Sequence, residues 1–345
     1  MKVLFIGLGS AGQRHLRNLL KLDPDVEIIA FRQRGLTFVL DDKLEVQENQ
    51  HVEKKYNIRV FTDINEALGQ NPDIAFITNP TSMHIESALK AAQAGCDIFL
   101  EKPISHNMDN INELLSVIDD KKLISFVGYQ NRFHPCIKKV KEVLSNNIIG
   151  DIIAVNAEVG EDIRLWHKYE DYRGMYAARK ELGGGVAVTQ IHELDYIQYL
   201  FGMPESVYAV GGKLSSLELD VEDTAGVLLR YSINGKSVPV HIHMDYIQSP
   251  LSRTCKIIGD KGKLQVDLIT NSIIAYDSTG SIILCDEYNN FTRNDMFIEE
   301  MELFISCVKE RCNSLMTVRE GVKSLTVALA IQESIITGEI IFLQT

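Results

Sequence analysis

The feature that most narrows the fold lies at the start of the chain. The apolar run Val3-Leu4-Phe5-Ile6 leads straight into Gly7-Leu8-Gly9-Ser10-Ala11-Gly12, and Gln13 to Leu22 follows with Leu16, Leu19 and Leu20 at helical spacing. A strand, a Gly-x-Gly-x-x-Gly turn and a helix in that order open a dinucleotide-binding unit. Glycine permits the tight turn and the close approach of backbone to a pyrophosphate, while free amides at the helix start face its charge. Gly7, Gly9, Ser10, Ala11 and Gly12 are therefore the expected cofactor cradle; the alternative is a merely glycine-rich turn.

The rest of the chain divides in two. Through residue 125, short apolar runs alternate with helical patterns, including a polar helix expected over Leu44 to Tyr56 and an alanine-rich one over His84 to Ala94. That rhythm implies a doubly wound parallel sheet covered on both faces, a Rossmann-type domain. From residue 126 to 345 the pattern turns to strand-like runs with turn signals. Ile152 to Gly160 reads as a strand with Ile153, Val155, Ala157 and Val159 on one face, and Asn234-Gly235 marks a hairpin. Gly185 to Phe201 reads as one helix. The expected fold class is α/β, with a second α+β domain built on a mostly antiparallel sheet.

A net charge of -12 argues against affinity for nucleic acid or an anionic membrane, and no apolar run reaches the ~18 to 20 residues of a membrane span. The six cysteines show no CxxC spacing, so reduced thiols in a cytoplasmic protein are expected and no metal site. His241, His243 and Asp245 share a strand face, which reads as a polar subunit contact ahead of a metal site.

Cofactor choice turns on the end of the second strand. It reads Ala30-Phe31-Arg32-Gln33-Arg34, with no acid to bind ribose hydroxyls. Arginine can pair with the extra phosphate of NADP, so NADP(H) is favoured and NAD(H) remains possible. The plainer reading makes Arg32 and Arg34 solvated loop charges.

Three further strand ends carry polar clusters that an open parallel sheet would bring beside the nicotinamide. They are Thr78-Asn79-Pro80-Thr81-Ser82-Met83-His84, Glu101-Lys102-Pro103 and Tyr129-Gln130-Asn131-Arg132. Asn79 and Pro80 fit a wall of the cofactor cleft, with His84 and Glu101 beside it. Lys102, at a buried strand end, is a candidate for proton exchange, against a plain salt bridge to an acid. A second cluster is Gly183-Gly184-Gly185 followed by Thr189 and His192-Glu193-Leu194-Asp195, where the glycines allow close approach to a ligand and Asp195 could orient His192.

Together these motifs resemble the Gfo/Idh/MocA family, the relatives of glucose-fructose oxidoreductase and inositol dehydrogenase, over essentially the whole chain. The resemblance implies hydride transfer between NAD(P) and a carbinol or keto carbon of a sugar, sugar acid or nucleotide sugar. Lys102 would touch the reacting oxygen and His192 would exchange its proton. It also implies a homodimer or homotetramer assembled through the C-terminal sheet. Glycoside cleavage by transient oxidation and a non-catalytic dinucleotide sensor are the alternatives. Many family members carry an aspartate four residues before the histidine; here that position is Val188. Tyr129, Asn131, Arg132, Arg164, Trp166, Arg173, Tyr176 and Thr189 are candidates for substrate contact, the arginines as an anionic subsite or else as ion pairs.

Overall fold

Four phenylalanines on neighbouring strands show how the first sheet is built. The structure, a computed structural model, describes residues 1–33, 38–41, 44–312 and 314–343, so Arg34 lies outside the described residues. The first sheet has the order β5-β2-β1-β6-β7-β8, all parallel. Its strands are β1 Lys2–Ile6, β2 Glu27–Phe31, β5 Arg59–Phe61, β6 Ile74–Ile77, β7 Asp97–Leu100 and β8 Ser125–Val127. Helices α1 Ser10–Leu22, α3 Ile64–Leu68, α4 His84–Ala94 and α5 Ile111–Lys121 connect them. Phe5, Phe76, Phe99 and Phe126 stack across four neighbouring strands with centroids 4.8, 4.9 and 5.6 Å apart. Such continuous apolar runs are what a parallel sheet needs, because both faces are buried.

The polar helix expected over residues 44–56 is instead a hairpin, β3 Phe38–Leu40 with β4 Val46–His51, followed by the single turn α2 Val52–Lys55. The glutamates and glutamines of this stretch favour a helix locally, but β3 docks on α1, where Gln13 bonds the backbone of Leu40 and Phe38. Tertiary pairing overrides the local preference.

The second sheet has nine strands in the order β16-β15-β14-β13-β9-β12-β11-β10-β17, antiparallel except for β9 against β12. These are β9 Ile152–Gly160, β10 Ser206–Gly212, β11 Thr224–Ile233, β12 Lys236–Asp245, β13 Ser252–Gly259, β14 Gly262–Asp267, β15 Ser272–Asp277, β16 Ile282–Glu287 and β17 Ile341–Phe342. Asn234 and Gly235, both at positive φ (51° and 73°), turn the hairpin between β11 and β12. Ile153 is exposed rather than inward, because the β9–β13 register slips beside it and gives the buried place to Ile152.

Helices α7 Val186–Thr189, α8 His192–Phe201 and α10 Val318–Thr337 cover one face of this sheet. α6 Pro135–Ser145 packs beside β14 and β15. The helix expected over 185–201 is thus two helices, broken at Gln190–Ile191. The remaining helix, α9 Arg293–Glu310, returns to the first sheet, where Phe304 meets Phe76, Phe99 and Phe126 at 5.6, 5.4 and 5.6 Å. No helix is long and apolar enough to cross a membrane among the described residues, and all six cysteines are free.

One ion pair fastens the two sheets together. Arg132, in a turn after β8, donates Nε and Nη2 to Asp195 of α8 at 2.8 and 2.6 Å, and Nη1 to the Leu315 carbonyl at 3.0 Å. Asp195 is wholly buried. Replacing one member of such a pair strands the other, at about 3 to 5 kcal/mol. Arg132→Met should therefore lower the urea midpoint sharply, by more than Arg319→Met, which breaks an exposed pair with Asp119; equal midpoints would show the tie to be dispensable.

Candidate active site

The glycine turn is shaped by what surrounds it. Gly7 has φ +99°, and a Cβ there would lie 2.9 Å from the backbone of Thr78 and Asn79. A Cβ on Gly12 would lie 2.6 Å from the Gly7 carbonyl, whereas one on Gly9 would meet nothing within 4 Å. Two glycines thus admit neighbouring backbone and the third opens onto free space. Gly9 also starts α1 without any side-chain cap, and the first turn carries no acid, so the amides at Ser10 and Ala11 stay available to an anion. Asn79 presents a buried Oδ1 with no partner among the described residues while its Nδ2 donates to Ser87. These features fit a dinucleotide.

Beside the cradle the side chains are more committed than their sequence suggested. His84 places its two ring nitrogens 2.7 and 2.8 Å from the carbonyls of Pro103 and Asn79, binding two strand ends together, and burial holds its pKa below the ordinary value. Any contact of His84 with a cofactor is therefore indirect. Pro80 is half-buried beside Asn79. Glu101 accepts from His15 at 2.5 Å and from the Lys102 amide. Burial pushes the Glu101 pKa up, but His15 and Lys102 outweigh it and hold it below the usual range. Arg32, expected to be free for a phosphate, is buried and ion-paired with Glu53.

The reacting groups meet where the broken helix releases a carbonyl. Lys102 Nζ donates to the Thr189 carbonyl at 2.9 Å. In an unbroken helix that carbonyl would accept from residue 193, but Glu193 N turns to Gln190 instead. Burial, with Arg253 and Arg293, lowers the Lys102 pKa to about 8 against the pull of Glu101. His192, one turn away, has Nε2 2.9 Å from the Gln130 amide nitrogen, and its Nδ1 has no partner among the described residues. Burial, then the charges of Lys102, Arg253 and Arg293, hold His192 well below its ordinary pKa. It is a neutral imidazole at physiological pH and thus a competent base.

Several expected roles are corrected. Asp195 does not orient His192, since its oxygens are taken by Arg132; Gln130 holds that imidazole. Arg132 is consequently a structural tie and not part of an open anionic subsite. Arg164 is held by Asp162 at 2.6 Å, and Arg173 by Asp171 at 2.7 Å and Glu218 at 3.0 Å. The signal was in the sequence: an aspartate precedes each by two residues, caps its own short turn and captures the guanidinium. The glycine triplet admits protein rather than ligand, with Gly184 against the Tyr176 and Ala177 backbone and Gly185 against Glu222. Tyr129 is fully buried, edge-on to His192 at 6.2 Å.

Other candidates remain placed to meet a ligand. Asn131 Nδ2, Gln190 Oε1 and Trp166 Nε1 are buried without partners among the described residues, and Trp166 packs edge-on to Tyr246 at 5.4 Å. Tyr176 is half-buried, close enough to Glu101 to feel its charge. Unpaired buried polar atoms cost about 1 to 3 kcal/mol each, and these atoms keep donors and acceptors that a ligand can take up. Arg253 and Arg293 were not foreseen, and Gln130, read only as part of a strand-end cluster, gains a definite partner. Gln130 and Arg253 reach the site through His192 and Glu193, and Arg293 stands at the start of α9. Only the fold places them there, because each is distant in sequence from the motif it serves.

Comparison with known proteins identifies the family and the fold. Residues 1–129 match the family model described as an oxidoreductase family with an NAD-binding Rossmann fold, and residues 137–265 match the GFO/IDH/MocA C-terminal domain. The chain belongs to the Gfo/Idh/MocA family of oxidoreductases. The myo-inositol 2-dehydrogenase of Thermotoga maritima is 27% identical over 97% of this chain and 96% of its own length. Two solved structures share the fold. One is the WlbA dehydrogenase of Bordetella pertussis with NADH and UDP-GlcNAcA (22% identity, TM-score 0.78, 100% and 99% of the two chains). The other is levoglucosan dehydrogenase with NADH (16% identity, TM-score 0.82, 100% and 99%). This member of the family is an NAD-binding oxidoreductase whose usual aspartate position, Val188, is buried and apolar.

Proposed function

We propose that this oxidoreductase moves hydride between a nicotinamide and a carbinol or keto carbon of a sugar-like substrate, with Lys102 and His192 as its catalytic residues. The observation that carries this reading is the pair itself, a lysine with pKa near 8 and a neutral histidine at the end of a dinucleotide sheet. Residues 1–125, with the remainder of β8 through Val127, form the cofactor-binding part in this reading, and the chain from there to 345 supplies substrate contacts and assembly.

When bound, the nicotinamide supplies the hydride acceptor or donor. The protein's share is to place and charge the oxygen. In oxidation, the Lys102 ammonium donates a hydrogen bond to the carbinol oxygen, and His192 takes its proton as the carbon gives up hydride. The Thr189 carbonyl holds Lys102, and Gln130 holds the imidazole, so both partners are fixed without the missing carboxylate. Asn131, Trp166, Gln190 and Tyr176 are proposed to bind substrate hydroxyls and the sugar face.

For the cofactor, a 2′-phosphate must compete with Glu53 for Arg32. We propose use of both dinucleotides, with the NADP(H) preference set by that competition. The open face of the second sheet is proposed to take a second copy of the chain. Tyr208, Leu228, His241, Lys256 and Ile274 line one row across it, beside a shallow cleft of about 860 Å³.

Four outcomes are expected. In oxidation of a polyol and sugar panel, kcat/KM should fall above pH 8 as Lys102 loses its proton and show no rising limb between pH 6 and 8 from His192. Lys102→Ala and His192→Ala should each lower kcat by about 10² to 10⁴ while keeping NADH affinity. Unchanged turnover in either variant removes that residue from the chemistry. In fluorescence titrations, Glu53→Gln should tighten NADPH relative to NADH by about tenfold, the scale of one freed charge-assisted contact; an equal response of both cofactors removes Arg32 from phosphate recognition. Sedimentation at micromolar concentration should give a dimer or tetramer, and Leu228→Lys should weaken it; a monomer rejects the sheet contact.

A further inference from the structure

Cations gather around Lys102 and His192, with the carboxylates of Glu101 and Glu193 among them, although the whole chain carries a net charge of -12. Three cations converge there, and their partners differ. Lys102 is held by the Thr189 carbonyl. Arg253 of β13 is held by both oxygens of Glu193, at 2.7 and 3.0 Å, next to His192 in sequence. Arg293 is exposed and has neither a hydrogen bond nor an ion pair among the described residues, and Glu161 acts on it only through space.

Its backbone is nonetheless fixed. The preceding Phe291 packs edge-on to His134 at 4.9 Å, Asn294 exchanges hydrogen bonds with Asn18 of α1 at 3.0 and 3.2 Å, and Thr292 and Asp295 form a capping box. Phe297, one turn on, carries Arg14 over its ring at 4.4 Å and lies 6.0 Å from His15, the partner of Glu101. Arg293 is therefore presented from a rigid helix start between α1, the junction turn and β13. Its charge is felt by Lys102, His192 and Arg253. The arginines that resembled an anionic subsite, Arg132, Arg164 and Arg173, all have carboxylate partners.

We propose that Arg293 determines substrate class by receiving a carboxylate or phosphate carried by the sugar whose carbon is oxidised. This rests on the oxidoreductase reading above and narrows it from sugars to anionic sugars. An anion there places its charge opposite a guanidinium whose donors are unused and which is otherwise repelled by Arg253. Arg253 and Glu193 already neutralise each other, so they hold the wall without competing for the ligand.

The test uses the full chain saturated with NADH. Binding of glucuronate, glucose 6-phosphate and glucose is followed by calorimetry for the wild type, Arg293→Gln and Arg293→Lys, and reduction of NAD and NADP by each sugar is assayed in parallel. At least one anionic sugar should bind the wild type about 10- to 100-fold more tightly than glucose, the worth of one charge-assisted contact. Which one it is separates carboxylate from phosphate. Arg293→Gln should collapse that ratio to near one, and Arg293→Lys should restore part of it, with NADH affinity unchanged in both. Equal affinity for the three sugars, binding of none, or a loss in Arg293→Gln confined to NADH would overturn the inference. Oxidation of glucose at a rate indifferent to Arg293 would overturn it too, while leaving the oxidoreductase reading in place. Arg293-dependent binding with no nicotinamide reduction by any sugar would do the reverse.

Discussion

The Arg132–Asp195 pair is the constraint on which the site depends. Lys102 comes from a strand end of the first sheet and His192 from a helix lying on the second, so their proximity exists only if the two sheets hold one relative position. Arg132 enforces that position by binding α8 through Asp195 and the segment before α10 through the Leu315 carbonyl. A fully desolvated bidentate pair is a weak source of net stability, because desolvation consumes much of the Coulombic gain. Its value is directional: few alternative packings can satisfy both partners, so the pair selects one docking geometry.

With that geometry fixed, a local defect becomes a functional part. Ending α7 at Thr189 forfeits helical hydrogen bonds, which a buried backbone rarely tolerates without replacement partners. Lys102 supplies one of them. The same contact keeps the ammonium buried, and burial is the main reason its pKa falls, with Arg253 and Arg293 adding to it against the neighbouring Glu101 carboxylate. An aspartate at position 188 would add a negative charge close by and raise it again. Val188, Thr189 and Gln130 thus form one solution, in which a carbonyl and an amide do the positioning.

How much of this was legible in the sequence depended on the range of the interaction. Gly7, Gly9 and Gly12 were readable because their demand is local: backbone must pass where a Cβ would collide. Asn234-Gly235 was readable for the same reason. The break after Thr189 was not, because Val186 to Phe201 keeps a helical apolar pattern and the Lys102 contact that replaces one lost bond comes from far off in the chain. The hairpin at residues 38–51 was missed because its stability comes from α1 and not from its own polar residues. Lys102 and His192 could be nominated as a pair through a family resemblance, but the partners that tune them lie far off in the chain. Gln130 is 62 residues from His192, and Lys102 is 87 from Thr189.

The arginines show the same division between local and distant information. Arg164 and Arg173 looked like ligand-binding residues because arginine suits phosphate and carboxylate, yet the aspartate two positions before each had already claimed it. Such a contact forms within one turn and needs no fold. Arg253 and Arg293 carried no comparable mark, since Glu193 lies 60 residues from Arg253 and nothing near Arg293 in sequence captures it. A guanidinium without a partner among the described residues, whose charge reaches a buried lysine, raises the potential there and makes that lysine harder to protonate. A binding anion would reverse this, so substrate charge and the protonation of Lys102 are coupled through Arg293. An anionic substrate would therefore raise the Lys102 pKa above about 8 as it binds and keep the ammonium charged when it is needed.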